Sequence, residues 1–155
     1  YNQEKVDAVV TFEPVRSQLL NDGAQSVFDS SLIPGEIVDV LVVHGDLLEQ
    51  RGAELGQLID GWFEALKYLS EQPEDASKRM AGRLNLLPEE ALGSFEGLKL
   101  PTAAENMAMF DHSHSSSLWM TAEKLERVMM DSDLLDSEID IVNLIAPQFV
   151  QAHLK

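Results

Sequence analysis

The side chains best placed to meet a ligand are Thr11, Phe12 and Glu13, in succession ahead of Pro14, and His44, at the end of a long apolar run. Together they offer a hydroxyl, a flat apolar ring, a carboxylate and an imidazole. Val6, Ala8, Val9, Val10 and Phe12 form a β-type run that ends in a polar residue and a proline, and a helical pattern follows at once. Proline suits the first helical turn, where its missing N–H has no intrahelical partner anyway. This predicts a buried strand over residues 6–12, with Glu13 as the helix N-cap. In open α/β sheets ligands gather at the carboxyl ends of strands, where helix N-termini present free N–H groups. The turn is therefore the first candidate contact, and a βα turn with no ligand is the competing reading. His44 either faces a cleft or simply ends its strand.

Other constellations are weaker. His112 and His114 form a close pair, but they sit among serines with only Asp111 nearby, and zinc needs three or four convergent ligands. The expectation is a solvated loop without a metal. No Gly-rich phosphate loop, G-x-S-x-G elbow or H-E-x-x-H helix occurs. Glu74-Asp75 and Glu89-Glu90 are first-turn acids that favour a helix dipole, not a catalytic dyad. Met107, Met109, Met120, Met129 and Met130 read as core filler. Trp62 is expected in the core, whereas Trp119, next to the serine loop, either packs inside or lines a groove.

Charge narrows the partners. The 155 residues carry 27 acidic and 11 basic side chains, a net charge of −16. No basic patch exists to release phosphate counterions, which argues against nucleic acid and anionic membranes. The absence of cysteine removes thiol nucleophiles, disulfides and Cys-type metal sites together. No run reaches transmembrane length.

The elements that must position the candidate residues follow from periodicity. Val15, Leu19 and Leu20 give a helix one apolar face, and Gly23 suits a left-handed position just beyond its end. Ser26-Val27-Phe28 reads as a second strand, and residues 30–35 as a turn. Residues 37–43 are almost continuously β-branched and predict a strand buried on both faces of a parallel or mixed sheet. Leu55, Leu58, Ile59, Trp62, Phe63, Leu66 and Leu69 keep helical spacing. Pro73 and Pro88, each followed by acids, start two further helices. Leu98-Lys99-Leu100 suggests a short strand. Thr102 with Glu105 is a capping box, Ser117 can cap the next helix, and a final apolar segment ends at Pro147.

Taken in order, several of these stretches resemble one family. They are Val6-Asp7-Ala8-Val9-Val10-Thr11-Phe12-Glu13-Pro14, Ile33-Pro34-Gly35 with Val38-Asp39-Val40-Leu41-Val42-Val43, and Trp62-Phe63-Glu64-Ala65-Leu66-Lys67-Tyr68-Leu69 with Gln72-Pro73-Glu74-Asp75-Ala76. Glu105-Asn106-Met107-Ala108-Met109-Phe110 and Ile145-Ala146-Pro147-Gln148-Phe149 add to the series. The chain is similar to the C-terminal half of a bacterial ABC-transporter substrate-binding protein of the nitrate/sulfonate/taurine and NMT1/THI5-like group.

That resemblance implies an α/β fold, the helix-rich portion of a type II periplasmic-binding-protein clamp. Residues 1–28 would end the second lobe, residues 29–36 form the hinge crossing, and residues 37–155 complete the first lobe. It further implies a non-enzymatic binding protein, periplasmic or anchored to the cell surface as a lipoprotein, with its signal segment outside this chain. A small polar organic ligand and an ABC permease would be its partners, with no cofactor. Thr11, Phe12 and Glu13 match a position facing the inter-lobe cleft. A carboxylate at Glu13 opposes an anion, which points to an amine or aminopyrimidine. Incomplete strands would favour dimers or swapped assemblies of the fragment. Two alternatives stay open: an enzyme on the same scaffold, with His44 as its one candidate base, and a ligand-free interaction or sensor module.

Overall fold

Prolines, acids and glycines punctuate the chain much as its sequence suggests. The computed structural model describes residues 6–115 and 117–154. The first residues of the predicted 1–28 unit, Ser116 of the polar loop and Lys155 lie outside the described residues. Helix α1, Val15–Asn21, follows the candidate turn. Gly23, at φ +92°, donates to the Leu20 carbonyl at 3.1 Å, and Ala24 donates to Leu19 at 2.9 Å. Those two bonds are the paired closure of a Schellman cap, which a side chain at Gly23 would strain.

After a single 3-10 turn at Ser30–Leu32 come α2, Gly45–Gln50, and the long α3, Gly52–Glu71. Helix α4, Pro73–Leu84, starts on Pro73 with Glu74 and Asp75 in its first turn, as predicted. Helix α5, Pro88–Gly93, repeats the device, and the Glu90 carboxylate accepts the Leu87 N–H at 2.8 Å. Helix α6, Ala103–Met109, has the expected capping box: Thr102 Oγ1 accepts the Glu105 N–H at 3.2 Å, and Glu105 accepts the Thr102 N–H at 2.9 Å. Helices α7, Leu118–Asp131, α8, Ile141–Leu144, and α9, Gln148–His153, complete the order.

The α/β expectation is overturned. Among the described residues there is no strand. Residues 6–12, 26–28, 37–43 and 98–100, each predicted as a strand, are irregular or extended backbone. A strand needs a second segment about 4.8 Å away to complete its ladder. Among the described residues no ladder bond joins these segments to a neighbour, and the backbone bonds outside helices are turns and caps. Propensity extended the backbone; pairing did not follow. Residues 37–43 are not buried on both faces either: Val42 is 79% exposed and Ile37 69%.

The helices form an array in which α3 is the axis. It packs on α2, α4 and α9; α4 packs on α5, α9 also meets α6, and α7 meets α8. On α3 the half-buried side is Leu55, Ile59, Phe63, Leu66 and Leu69. Leu58 and Trp62 are about half exposed, so Trp62 is not a core residue. They sit on the flank of the apolar stripe that no other helix covers. Asp60 and His153 join α3 to α9, with Oδ1 and Nδ1 2.6 Å apart, and the His153 ring lies 4.8 Å from that of Phe63. Among the described residues the buried apolar side chains are Ala76, Ala81, Ala91, Ala103, Ile141 and Val150. The core is narrow and mostly alanine.

Candidate functional site

The candidate turn is built by the start of α1. The Phe12 carbonyl accepts the Arg16 N–H at 3.1 Å, and Pro14 accepts Gln18 at 3.3 Å. Pro14 rather than Glu13 occupies the N-cap position. Glu13 nevertheless supplies the capping acceptor from one residue earlier. Its Oε2 accepts the Ser17 N–H at 3.2 Å and the Ser17 hydroxyl at 2.7 Å, and Arg16 Nη1 donates to Oε1 at 3.2 Å. Thr11 is half-buried, with its hydroxyl 3.4 Å from the Phe12 carbonyl. The Phe12 ring stands in solvent, 83% exposed.

The Glu13 carboxyl feels opposing forces. Partial burial pushes its pKa up, but the hydrogen bonds from Ser17 and Arg16, and the Arg16 charge, bring it below the ordinary carboxylate value. It is therefore an anion near neutral pH, compensated by its own helix. What the turn offers is an open aromatic face beside a carboxylate–guanidinium pair. Such a pair can exchange one partner for a ligand group without leaving a bare charge behind.

His44 is the N-cap residue of α2, exposed, with Nδ1 3.5 Å from Asp46 Oδ2 on the same helix. Its described partner and those of Glu13 are each local.

Among curated proteins and solved structures, nothing matches this chain. A family model does: the NMT1-like family model aligns with residues 2–85, more than half of the chain. The chain belongs to the NMT1-like family. The matched stretch contains the Thr11–Phe12–Glu13 turn, the 29–36 crossing and His44, and it ends at Asn85, the left-handed C-cap of α4. In this NMT1-like chain, then, every candidate ligand residue lies inside the part that carries the family pattern, and α5 to α9 lie beyond it.

Two residues that the sequence reading passed over belong to the site. Arg16 and Ser17 hold Glu13, and their spacings of three and four from it were a visible signal, since such spacings share a helix face. A second cluster lies at the α3–α4 corner. Tyr68 donates its hydroxyl to Asp75, Arg79 Nε donates to the same carboxylate oxygen at 2.5 Å, and the guanidinium carbon is 5.7 Å above the Tyr68 ring. The hydrogen bond to Asp75 raises the Tyr68 pKa, and the bonds from Tyr68 and Arg79 lower that of Asp75. Tyr68 and Arg79, with Gly61, Glu64 and Ala65, line an open depression of about 410 Å³. None of the turn residues reaches it. The cluster braces a helix corner.

The His112 and His114 loop is also settled by local contacts. The His112 ring stacks on Trp119 at 4.4 Å, and the Trp119 indole N–H donates to the Phe110 carbonyl at 3.1 Å. Trp119 therefore packs beneath the loop. Asp111 accepts the Ser113 N–H and hydroxyl at 2.8 and 2.7 Å, which hold its carboxyl below the ordinary value. No cluster of three or more His, Asp or Glu suited to a metal occurs among the described residues.

Proposed function

We propose that this NMT1-like chain is part of the extracytoplasmic solute-binding component of an ABC importer, and that it binds its solute without chemical conversion. One observation carries this reading: the family pattern over residues 2–85 includes the turn where an exposed Phe12 stands beside a charge-compensated Glu13. The solute is a small polar organic molecule with hydrogen-donating or cationic groups, such as an amine or aminopyrimidine. Its plane lies against Phe12, and its donors take the place of Arg16 on Glu13. Thr11 adds a hydroxyl at the edge. Closure of two lobes about residues 29–36 desolvates the solute and presents the closed form to the permease. The protein works in the periplasm or as a lipoprotein on the cell surface.

Calorimetric titration of the purified protein with a panel of amines, aminopyrimidines and alkyl sulfonates tests this. Binding by the first two classes, weakened about tenfold or more in Glu13→Gln and in Phe12→Ala, is expected, since losing a hydrogen bond to a charged acceptor costs about 1.5–3 kcal/mol. Tight sulfonate binding that Glu13→Gln leaves unchanged would overturn the ligand class. Turnover of any bound compound would overturn the non-enzymatic reading.

A further inference from the structure

Residues 29–36 are not a loose linker. Asp29 Oδ1 accepts the Ser31 N–H at 2.9 Å and its hydroxyl at 2.5 Å. Leu32 donates to the Asp29 carbonyl at 3.2 Å and Ile33 to Ser30 at 3.1 Å. A second turn follows, closed by the Glu36 N–H on the Ile33 carbonyl at 3.2 Å, with Gly35 at φ +84°. Every one of these bonds is local, so they set the segment's shape without fixing its place on the molecule.

One contact does fix its place. Lys124 Nζ on α7 lies 2.5 Å from Glu36 Oε1, across 88 positions of sequence. On the same helix Glu126 is engaged elsewhere, accepting the Ile139 N–H at 2.6 Å. At the other end of the segment the Ser31 hydrogen bonds hold the Asp29 carboxyl below its ordinary value, and Arg16 of α1 adds a smaller pull. The crossing is thus a preformed double turn with a charge at each end, one of them clasped to a distant helix.

We propose that the Glu36–Lys124 ion pair is an electrostatic clasp that fixes the crossing to α7, so that ionic strength sets how freely residues 29–36 move. The functional importance of that freedom rests on the hinge reading above; the clasp itself does not. Both side chains are partly in solvent, Lys124 60% and Glu36 38% exposed, so salt reaches the pair. Exposed pairs shift local equilibria by up to about fivefold, and at about 1 M salt the Debye length shrinks to about 3 Å, which weakens the pair.

Hydrogen exchange of the whole chain, read by mass spectrometry on peptides spanning residues 29–36, is the test, because amide protection reports local opening. Lys124→Met is expected to exchange about two- to fivefold faster there than the native chain at low salt. Raising salt toward about 1 M accelerates the native chain toward the variant's rate and leaves the variant unchanged. Lys124→Arg retains protection, and the exchanged pair Glu36→Lys with Lys124→Glu recovers it. Peptides from Leu118–Asp131 show whether α7 stays folded; if it does not in Lys124→Met, the native salt titration and the exchanged pair decide. Salt-independent protection in the native chain, or an exchanged pair no better protected than Lys124→Met, overturns the clasp. Because this readout needs no ligand, absence of solute binding in the titration above defeats the importer reading and leaves the clasp standing.

Discussion

Ahead of α2, Val10, Phe12, Val27 and Val42 face solvent, each more than three-quarters exposed; beyond it, α4, α5, α6, α8 and α9 supply every buried apolar side chain among the described residues. Both stretches are apolar and regularly patterned, and only one builds a core. The difference lies in where backbone hydrogen bonds go. A helix satisfies its N–H and C=O groups within a few residues, so α3 or α4 can form first and then find a packing partner. An extended segment satisfies none of them until a second segment arrives. The accessible surface of the whole chain, 12222 Å², compares with about 7,800 Å² for a compact monomer of this mass. Large apolar side chains contribute to that excess, Val10, Val27 and Phe12 among them.

Substitution by aspartate gives the sharpest contrast between the two stretches. Ala91 is wholly buried where α4 meets α5, and Ala91→Asp should cost about 3 kcal/mol or more through an unpaired buried charge. Val42→Asp should change stability by less than about 0.5 kcal/mol. Urea unfolding followed by far-ultraviolet circular dichroism measures both, and comparable losses would show that residues 37–43 are packed.

Gly23 probes the C-terminal end of α1. Nothing lies within 4 Å of an added Cβ, so Gly23→Ala should lose about 1 kcal/mol through its left-handed backbone alone, visible as fraying of α1 in amide exchange. Within the helical stretch, two N-cap residues should behave oppositely. Thr102→Ala should cost about 1 kcal/mol by removing a formed cap. Ser117→Ala should be neutral or slightly stabilising, because the buried Ser117 hydroxyl has no partner among the described residues and makes no capping bond. Thermal melts of the two variants separate these outcomes.

The smallest effect is a pH dependence confined to the candidate turn. The Glu13 pKa is lowered in the folded state, so its contribution is fully present above the ordinary value of 4.5 and fades as pH falls through the lower folded value. The Ser17 amide shift in NMR should follow that titration, and Glu13→Gln should abolish it. A Ser17 shift titrating above 4.5 would show that burial outweighs the hydrogen bonds.

Much of the helical stretch was legible because its signals are local. Pro73 with Glu74 and Asp75, Thr102 with Glu105, and Gly23 at φ +92° each do in three dimensions what their residue types suggest. The candidate turn was legible in part: Glu13 sits at a helix start, yet Pro14 holds the N-cap position and Arg16 and Ser17 complete the site. Trp62 was misread because helical spacing marks an apolar side without saying how wide a neighbour will cover it. Ser117 was placed correctly, but its hydroxyl turned into the interior.

The order of residues alone determined the starts of α4, α5 and α6, the absence of thiol chemistry, the strong negative charge and the family pattern over residues 2–85. Each depends on composition or on neighbours a few positions apart. Only tertiary structure decided that residues 37–43 lack a ladder, that His44 and Glu13 keep separate local partners, and that Lys124 reaches Glu36. Those outcomes depend on which distant segments meet, and the closing of long loops is governed by the packing of the entire chain rather than by any residue's own preference.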